Sequence, residues 1–379
     1  MKTIKLNNGV EMPMVGFGVF QVPDLAVCQK AVEDAISVGY RLIDTAAAYK
    51  NEEAVGAAIR ASGIPRSEFF VTTKLWTQDH GYDNTLRAFD TSMKKLGLDQ
   101  LDLWLIHKPY GDVYGAWRAM ERLYKEGRIR AIGVTSFPDD RLLDLFLHNE
   151  VKPAVNQVET NPWCQMKETG AFLAKEGIAH EAWAPFAEGH DGLFTNPVLV
   201  KIAEKHDRTV GQVVLRWLHQ RNVIVIPKSV HKSRMIENIS IFDFELDASD
   251  MKAIAELDTG RSSFDDDRAL ENVRYIGTMK SHDYRFGGVT EMDYLTLEGG
   301  VKMPMVGYGV FQIGAEETER CVSDALAVGY RAIDTAQAYY NEEDVGAAVA
   351  KSGIPRDEIF LTTKVWISNA GDKKCRGVD

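Results

Sequence analysis

Short apolar runs alternate with stretches of helical spacing along the first two thirds of the chain. The runs are Val15–Gly18, Leu42–Ile43, Phe69–Thr73, Leu101–Ile106, Ala131–Val134, Ala154–Gln157, Ile178–Trp183 and Val223–Ile226. Between them apolar residues recur every three or four positions, the period of an amphipathic helix. Over Ala26–Val38 this predicts a core face through Val27, Ala31, Ala35 and Val38; over Ala116–Glu126 it predicts one through Trp117, Met120 and Leu123. Strands alternating with helices imply parallel pairing through right-handed crossovers. Eight such units in about 240 residues suit a closed α/β cylinder, a (β/α)8 TIM barrel, better than an open sheet.

Ahead of the first run, Ile4–Met12 carries Asn8-Gly9 at its centre, which predicts a hairpin that plugs the N-terminal end of the barrel. After the eighth run, Ser233–Ile239 and Ser249–Glu256 read as helices, and a polar tail extends from Arg261 to about Tyr284. Arg285-Phe286-Gly287-Gly288 has the composition of a linker.

Beyond this linker the pattern starts again. The hairpin signal returns at Tyr294–Val301, and Gly39–Ala46 returns at Gly329–Ala336 with one substitution in eight. Residues 31–76 align without a gap on 321–366, with 31 of 46 positions identical. A period of about 290 residues is a duplication on the scale of a domain, not a solenoid. We therefore expect a complete barrel over 1–288 and an incomplete second copy over 289–379. The copy would hold the hairpin, three strands and two helices. Three parallel strands cannot close a barrel, so the copy is expected to be inactive, marginally stable alone and able to offer a contact surface. The tail at 371–379 carries no strand or helix pattern.

Composition narrows the function. A net charge of −11 argues against a nucleic-acid surface, and no apolar run approaches the ~20 residues of a membrane span. The first residues lack the apolar core of a signal peptide, so a cytoplasmic location is expected. The four cysteines Cys28, Cys164, Cys321 and Cys375 lie far apart and read as reduced structural thiols.

In a parallel barrel, chemistry sits where strands end. Asp44 ends the second run, Tyr49 lies five residues beyond it, Lys74 follows the third run and His107 follows the fourth. Each alone has an ordinary structural explanation, but three adjacent strands deliver an acid, a phenol, an amine and an imidazole to one rim. An ammonium beside a phenol is expected to lower its pKa. Asp44 would hold Lys74, and His107 would hydrogen-bond a carbonyl oxygen so that Tyr49 protonates it. Such a set lacks a reductant, so a hydride-donating cofactor is implied. No Gly-x-Gly-x-x-Gly fingerprint opens a βαβ unit, whereas Lys228, Ser229 and Arg234 beside a helix start suit a phosphate clasp. The second copy repeats Asp334, Tyr339 and Lys364 but has no counterpart of His107 or of the clasp.

Taken together, Asp44, Tyr49, Lys74 and His107 with the tracts Ile132–Phe137, Asn156–Glu159 and Ile226–Val230 resemble the aldo-keto reductases. The bacterial branch with 2,5-diketo-gluconate and glyoxal reductases is the most similar. The resemblance covers residues 1 to about 280, and 293–366 again. It implies reduction of an aldehyde or ketone with NADPH as the cofactor (NADP+ after turnover) and without a metal. By the same resemblance, Thr135, Ser136 and Gln157 hold the nicotinamide carboxamide and Trp183 stacks on its ring. Lys228, Ser229 and Arg234 hold the 2′-phosphate, and Glu237 and Asn238 contact the adenine. Phe20, Trp76, Trp163 and Lys108 would line the substrate pocket. Two departures stand out: Thr135-Ser136 replaces the usual Ser-Asn, and Lys108 stands where bacterial relatives often carry Gln. The expected partner is a small carbonyl compound, for a monomer or weak dimer with a contact surface in 289–379. A non-catalytic NADPH-binding sensor or scaffold is the alternative. A barrel hydrolase is weaker, because no paired rim carboxylates or metal-ligand cluster is evident.

Overall fold

The computed structural model describes residues 2–264, 266–279 and 294–366. The expected linker at 285–288, Cys375 and the tail at 371–379 lie outside these residues. The chain forms two compact units, Met1–Phe286 and Gly287–Asp379.

The first unit is a (β/α)8 barrel. Its eight parallel strands are β1 (Gly16–Gly18), β2 (Leu42–Asp44), β3 (Phe70–Leu75), β4 (Leu101–Ile106), β5 (Ile129–Thr135), β6 (Val155–Glu159), β7 (Ala179–Trp183) and β8 (Ile224–Val225), paired in chain order. A parallel bridge between Val15 and Val225 joins the first strand to the last. The Val225 amide donates to the Met14 carbonyl at 3.0 Å, and the Gly18 amide to the Pro227 carbonyl at 3.3 Å. Every strand position is buried or nearly so, as expected for a sheet covered on both faces.

The hairpin pairs Thr3–Lys5 with Glu11–Pro13 and carries Leu6 and Met12 into a cluster with Leu42, Phe70, Leu103, Leu105 and Ile224. It thus closes the floor of the cylinder. The Asn7 and Asn8 amides fasten it by donating to the Pro153 and Arg130 carbonyls, each at 2.9 Å.

Eight helices follow in the crossovers and around the outside: α1 (Leu25–Ser37), α2 (Glu52–Ala61), α3 (Tyr82–Leu96), α4 (Val113–Lys125), α5 (Asp139–Leu147), α6 (Lys167–Glu176), α7 (Pro197–His206) and α8 (Val210–Gln220). After β8 come α9 (Lys232–Ile239), α10 (Ala248–Ala255) and α11 (Leu270–Thr278). On α1 the buried face is Cys28, Ala31, Val32, Ala35 and Ile36, so the expected stripe is rotated by one residue and Val27 is exposed. The expected face of α4 is present, with Trp117, Met120 and Leu123 all buried. The supposed polar tail holds α11, whose only buried residue is Asn272, so no apolar stripe announces it. No helix among the described residues is long and apolar enough to cross a membrane.

The second unit repeats the opening of this plan. A hairpin pairs Tyr294–Thr296 with Lys302–Pro304. A three-stranded parallel sheet follows in the order Tyr308–Gly309, Ala332–Asp334, Phe360–Thr362, with helices Ala315–Ala327 and Glu342–Lys351 between its strands. Its register is that of the first unit. Ile333 pairs with Tyr308 and Leu361 as Ile43 pairs with Phe17 and Val71.

Candidate active site

Three strand ends at the carboxyl rim of the first unit bring Asp44, Tyr49, Lys74 and His107 together. Asp44 is the last residue of β2 and Lys74 lies near the end of β3. His107 follows β4, its amide donating to the Leu75 carbonyl at 3.0 Å. Tyr49 sits on a short turn of 3-10 helix, Ala47–Tyr49, closed by Lys50 in the left-handed region with φ 57°. Asn51 holds that turn down. Its amide donates to the Val19 and Val22 carbonyls at 2.9 and 3.1 Å, while its oxygen accepts from Thr45 at 2.7 Å.

Lys74 has no exposed side-chain surface. Its ammonium donates to Asp44 Oδ1, to the Thr45 carbonyl at 2.9 Å and to the Tyr49 hydroxyl at 3.4 Å. The Tyr49 ring lies between Phe20 and His107, with centroids 5.1 and 5.5 Å away. Trp76 meets His107 edge-on at 5.1 Å, and its indole N–H donates to the Met279 carbonyl just after α11 at 3.1 Å.

The electrostatics differ from the expectation for Tyr49. Burial, then the charges of Asp44, Glu181 and Glu188, push the Tyr49 phenol well above its ordinary pKa. Lys74 does not make it acidic, because burial dominates, Asp44 already offsets the ammonium, and Glu188, joined by Glu181 once that group ionises, adds further negative charge. Tyr49 therefore remains fully protonated at neutral pH. Burial, reinforced by Lys74, Lys108 and His80, drives His107 well below its ordinary value, leaving a neutral imidazole with one N–H donor. Burial pushes Asp44 upward, opposed by Lys74 and Gln157.

Glu181, in β7, joins this centre although the sequence did not single it out. The Gln157 amide nitrogen donates to Asp44 Oδ2 and Glu181 Oε2, both at 3.0 Å. Gln157 and Glu181 are register partners on β6 and β7, which sets both at one level of the barrel. Burial, with the nearby Asp44 charge, raises the Glu181 carboxyl to about 8. A Glu between His180 and Ala182 in a strand was the available signal, but alternation alone does not say which face turns inward.

The other expected residues ring this centre. Thr135 ends β5, and Ser136 follows in the left-handed region with φ 58°. Thr135 Oγ1, Ser136 Oγ, His107 Nδ1, Glu181 Oε1 and Trp163 Nε1 are buried without a hydrogen-bond partner among the described residues. Orphaned buried polar atoms are costly, and their concentration at one rim suits a polar ligand. Trp183 ends β7, half-buried against Phe264 at 5.2 Å. Lys228 and Arg234 are exposed beside the start of α9 and form no ion pair among the described residues. The helix has no side-chain cap, so its first amides are open to an anion. Ser229 is buried in a turn, accepting from the His231 amide at 3.0 Å. Asn238 is buried, and Glu237 accepts from Thr209 at 2.6 Å. Lys108 does not stand as a lone cation: Asp267 meets its ammonium at 2.7 and 2.8 Å.

The family model described as Aldo/keto reductase family matches residues 16–259 and 305–377. Glyoxal reductase of Bacillus subtilis (strain 168) is 51% identical over 256 residues, covering 67% of this chain and 92% of that protein. Morphine 6-dehydrogenase of Pseudomonas putida is 46% identical over 271 residues, covering 68% and 91%. Among solved structures, a Bombyx mori aldo-keto reductase in complex with NADP superposes with a TM-score of 0.68 at 35% identity, covering 72% of this chain and 96% of that one.

Proposed function

Since this chain belongs to the aldo/keto reductase family, we propose that it reduces small aldehydes and ketones, such as α-dicarbonyls or keto-sugars, with Tyr49 as the proton donor. It is an NADP-dependent oxidoreductase. The residues present fit that cofactor. Thr135 and Ser136 offer unpaired hydroxyls. Gln157 commits its nitrogen inward and keeps its amide oxygen for a ligand. Trp183 offers a ring to stack on a nicotinamide. Lys228, Ser229, Arg234 and the open start of α9 form a cradle for a 2′-phosphate, with Glu237 and Asn238 beyond them for the adenine. When bound, NADPH supplies a hydride to the carbonyl carbon.

The observation that carries the reading is the Lys74 ammonium 3.4 Å from the Tyr49 hydroxyl, beside a neutral His107. His107 donates its single N–H to the substrate oxygen and aligns it with the phenol. An alkoxide is a far stronger base than a phenolate, so a phenol of raised pKa still surrenders its proton to it. Lys74 stabilises the phenolate left behind, and Asp44 with the Thr45 carbonyl fixes Lys74 in place. Phe20, Trp76 and Trp163 make an aromatic wall. With Lys108 neutralised by Asp267, this wall suits uncharged substrates better than acidic ones.

Tyr49→Phe is the test. Loss of a general acid should lower kcat by about 10²–10⁴. NADPH affinity, read by quenching of tryptophan fluorescence, should stay within about twofold, because the hydroxyl is not part of the phosphate cradle. A near-wild-type rate would rule out Tyr49 as the donor. NADPH binding by the wild type without turnover of any carbonyl in a broad panel would favour the sensor.

A further inference from the structure

Residues 259–264 and 266–279 reach back to the carboxyl rim of the barrel and are fastened to the loops after β6, β4 and β3. Thr259 donates to the Trp163 carbonyl through its amide at 2.8 Å and its hydroxyl at 2.9 Å. The Ser263 amide donates to Glu159, at the end of β6, at 3.1 Å, and the Ser262 hydroxyl donates to the same carboxylate. The Tyr110 hydroxyl donates to the Asp267 carbonyl at 2.6 Å, and the Thr77 hydroxyl to the Ile276 carbonyl at 3.3 Å. With the bond from Trp76 to Met279, these ties hold the segment against the aromatic wall at His107.

One further tie is a charge pair. Both Asp267 oxygens meet the Lys108 ammonium, at 2.7 and 2.8 Å, and the two side chains are 20% and 17% exposed. A partly buried pair is screened far less than one in open solvent. The flanking charges Asp266 and Arg268 are 65% and 74% exposed and 4.0 Å apart, so solvent screens them. Two cations act on His107 from nearby, Lys74 and Lys108. Lys74 has no exposed surface and is committed to Asp44. Lys108, next to His107 in the chain, is the cation within reach of a second group on a bound carbonyl compound, and Asp267 is the charge that cancels it. A carboxylate placed there would meet the Asp267 carboxylate at the same ammonium, and like charges at that separation repel. An ester or aldehyde group would meet no such repulsion.

We propose that Asp267 is a specificity-determining residue that bars 2-oxo acids from this site by holding the Lys108 ammonium against them. Removing its charge turns a site for uncharged carbonyl compounds into one that accepts a carboxylate beside the reacting carbonyl. The discrimination thus lies outside the eight β/α units, on a segment that the rim loops hold in place. The proposal rests on the carbonyl reduction inferred above.

Phenylglyoxylate and its methyl ester test this on the full-length chain, since they share one ketone and differ in charge. Reduction of either adds a hydride at the keto carbon and a proton at its oxygen, and leaves the carboxylate or ester as it is. Asp267→Asn keeps an oxygen toward Lys108 and the backbone tie to Tyr110, so the segment stays fastened while the charge goes. The ratio of kcat/KM for the acid to that for the ester should rise at least about tenfold, because a charge-assisted hydrogen bond becomes available. Asp267→Ala, which vacates Lys108 altogether, should move the ratio in the same direction. Adding Lys108→Gln to Asp267→Asn should bring it back to within about twofold of the wild type. Each ratio is taken within one variant, so a general loss of activity cancels. A second arm needs no turnover. With NADP+ bound no hydride is available, and calorimetry should find phenylglyoxylate bound more tightly by Asp267→Asn than by the wild type. An unchanged ratio in Asp267→Asn, or a raised ratio that survives Lys108→Gln, overturns the inference. If the wild type reduces no carbonyl, the reading of the reaction fails on its own, and binding that ignores Asp267→Asn then overturns the inference separately.

Discussion

Lys74→Met separates the two effects of the buried ion pair. In the native protein the Lys74 ammonium has Asp44, the Thr45 carbonyl and the Tyr49 hydroxyl as partners, and Asp44 is 2% exposed. Methionine preserves the volume but strips Asp44 of its counter-ion, leaving only the Gln157 amide. Removing one member of a buried pair costs about 3–5 kcal/mol, and the orphaned Thr45 carbonyl adds about 1 kcal/mol. The expected loss at pH 7 is therefore about 4–6 kcal/mol, a large part of the ~5–15 kcal/mol that holds a typical domain folded. Adding Asp44→Asn removes the stranded charge and keeps an amide oxygen for Gln157. Replacing both ions with neutral groups is often neutral or favourable, so most of the loss should return. Turnover should not return, because no cation remains to stabilise the Tyr49 phenolate. Urea unfolding followed by tryptophan fluorescence reads the first unit, which holds six of the seven tryptophans. The deficit of Lys74→Met should shrink toward acidic pH. Burial is then opposed by the Gln157 amide alone, so the folded form of Asp44 takes up a proton more readily than the unfolded chain. A double variant as unstable as the single one, or one with wild-type turnover, would refute this account.

Three further outcomes follow from the same geometry. Glu181 titrates near 8 when folded and near 4.5 in its ordinary state, so the native form holds an extra proton between these values and stability falls as pH rises through that window. Glu181→Gln should flatten this slope by a few kcal/mol, measured as urea midpoints from pH 5 to 8; an unchanged slope would mean that Glu181 is ionised throughout. Lys228→Ala with Arg234→Ala should raise KM for NADPH about tenfold or more and leave KM for NADH nearly unchanged, since two charge-assisted contacts to a 2′-phosphate are lost. Equal effects on both cofactors would place the phosphate elsewhere. Ser136→Asn should raise Tm by about 2–4 °C, because φ 58° suits asparagine better than serine; a lower Tm would show that the serine hydroxyl matters more than the backbone.

The barrel was legible because each strand is an apolar run and each crossover has a helical stripe. The strand ends were less so, for a reason tied to function. β2 ends on Asp44, β3 runs on through Lys74, β5 ends on Thr135 and β6 on Glu159. These strands carry polar residues where they reach the rim, so a hydrophobic reading stops short at the positions that bear the chemistry. α11 was missed for the opposite reason. It lies largely exposed, and it contributes backbone carbonyls: Ile276 accepts from Thr77, and Met279, just after the helix, accepts from Trp76.

The sign of the Tyr49 shift shows where local reading fails. Lys74 and Tyr49 could be placed together from adjacent strands, and an isolated ammonium would indeed favour the phenolate. The sign depends on every charge facing the hydroxyl, and Glu181 and Glu188 arrive from β7 and the loop beyond it, more than 130 residues along the chain from Tyr49. Their inward direction follows from register and loop path, which no run of apolar residues encodes. The outcome favours the reduction direction. A phenol that stays protonated across neutral pH is always ready to donate, whereas the reverse reaction needs the phenolate as base. With Glu181 itself protonated below about 8, one of the opposing charges is removed as pH falls. The phenolate becomes more populated as pH rises, so the oxidation rate should rise across the neutral range, less steeply above about 8 where Glu181 ionises and opposes the phenolate, while reduction stays flat. Single-turnover rates in both directions between pH 6 and 9 would check this, and a flat oxidation profile would show that Tyr49 is not the group being deprotonated.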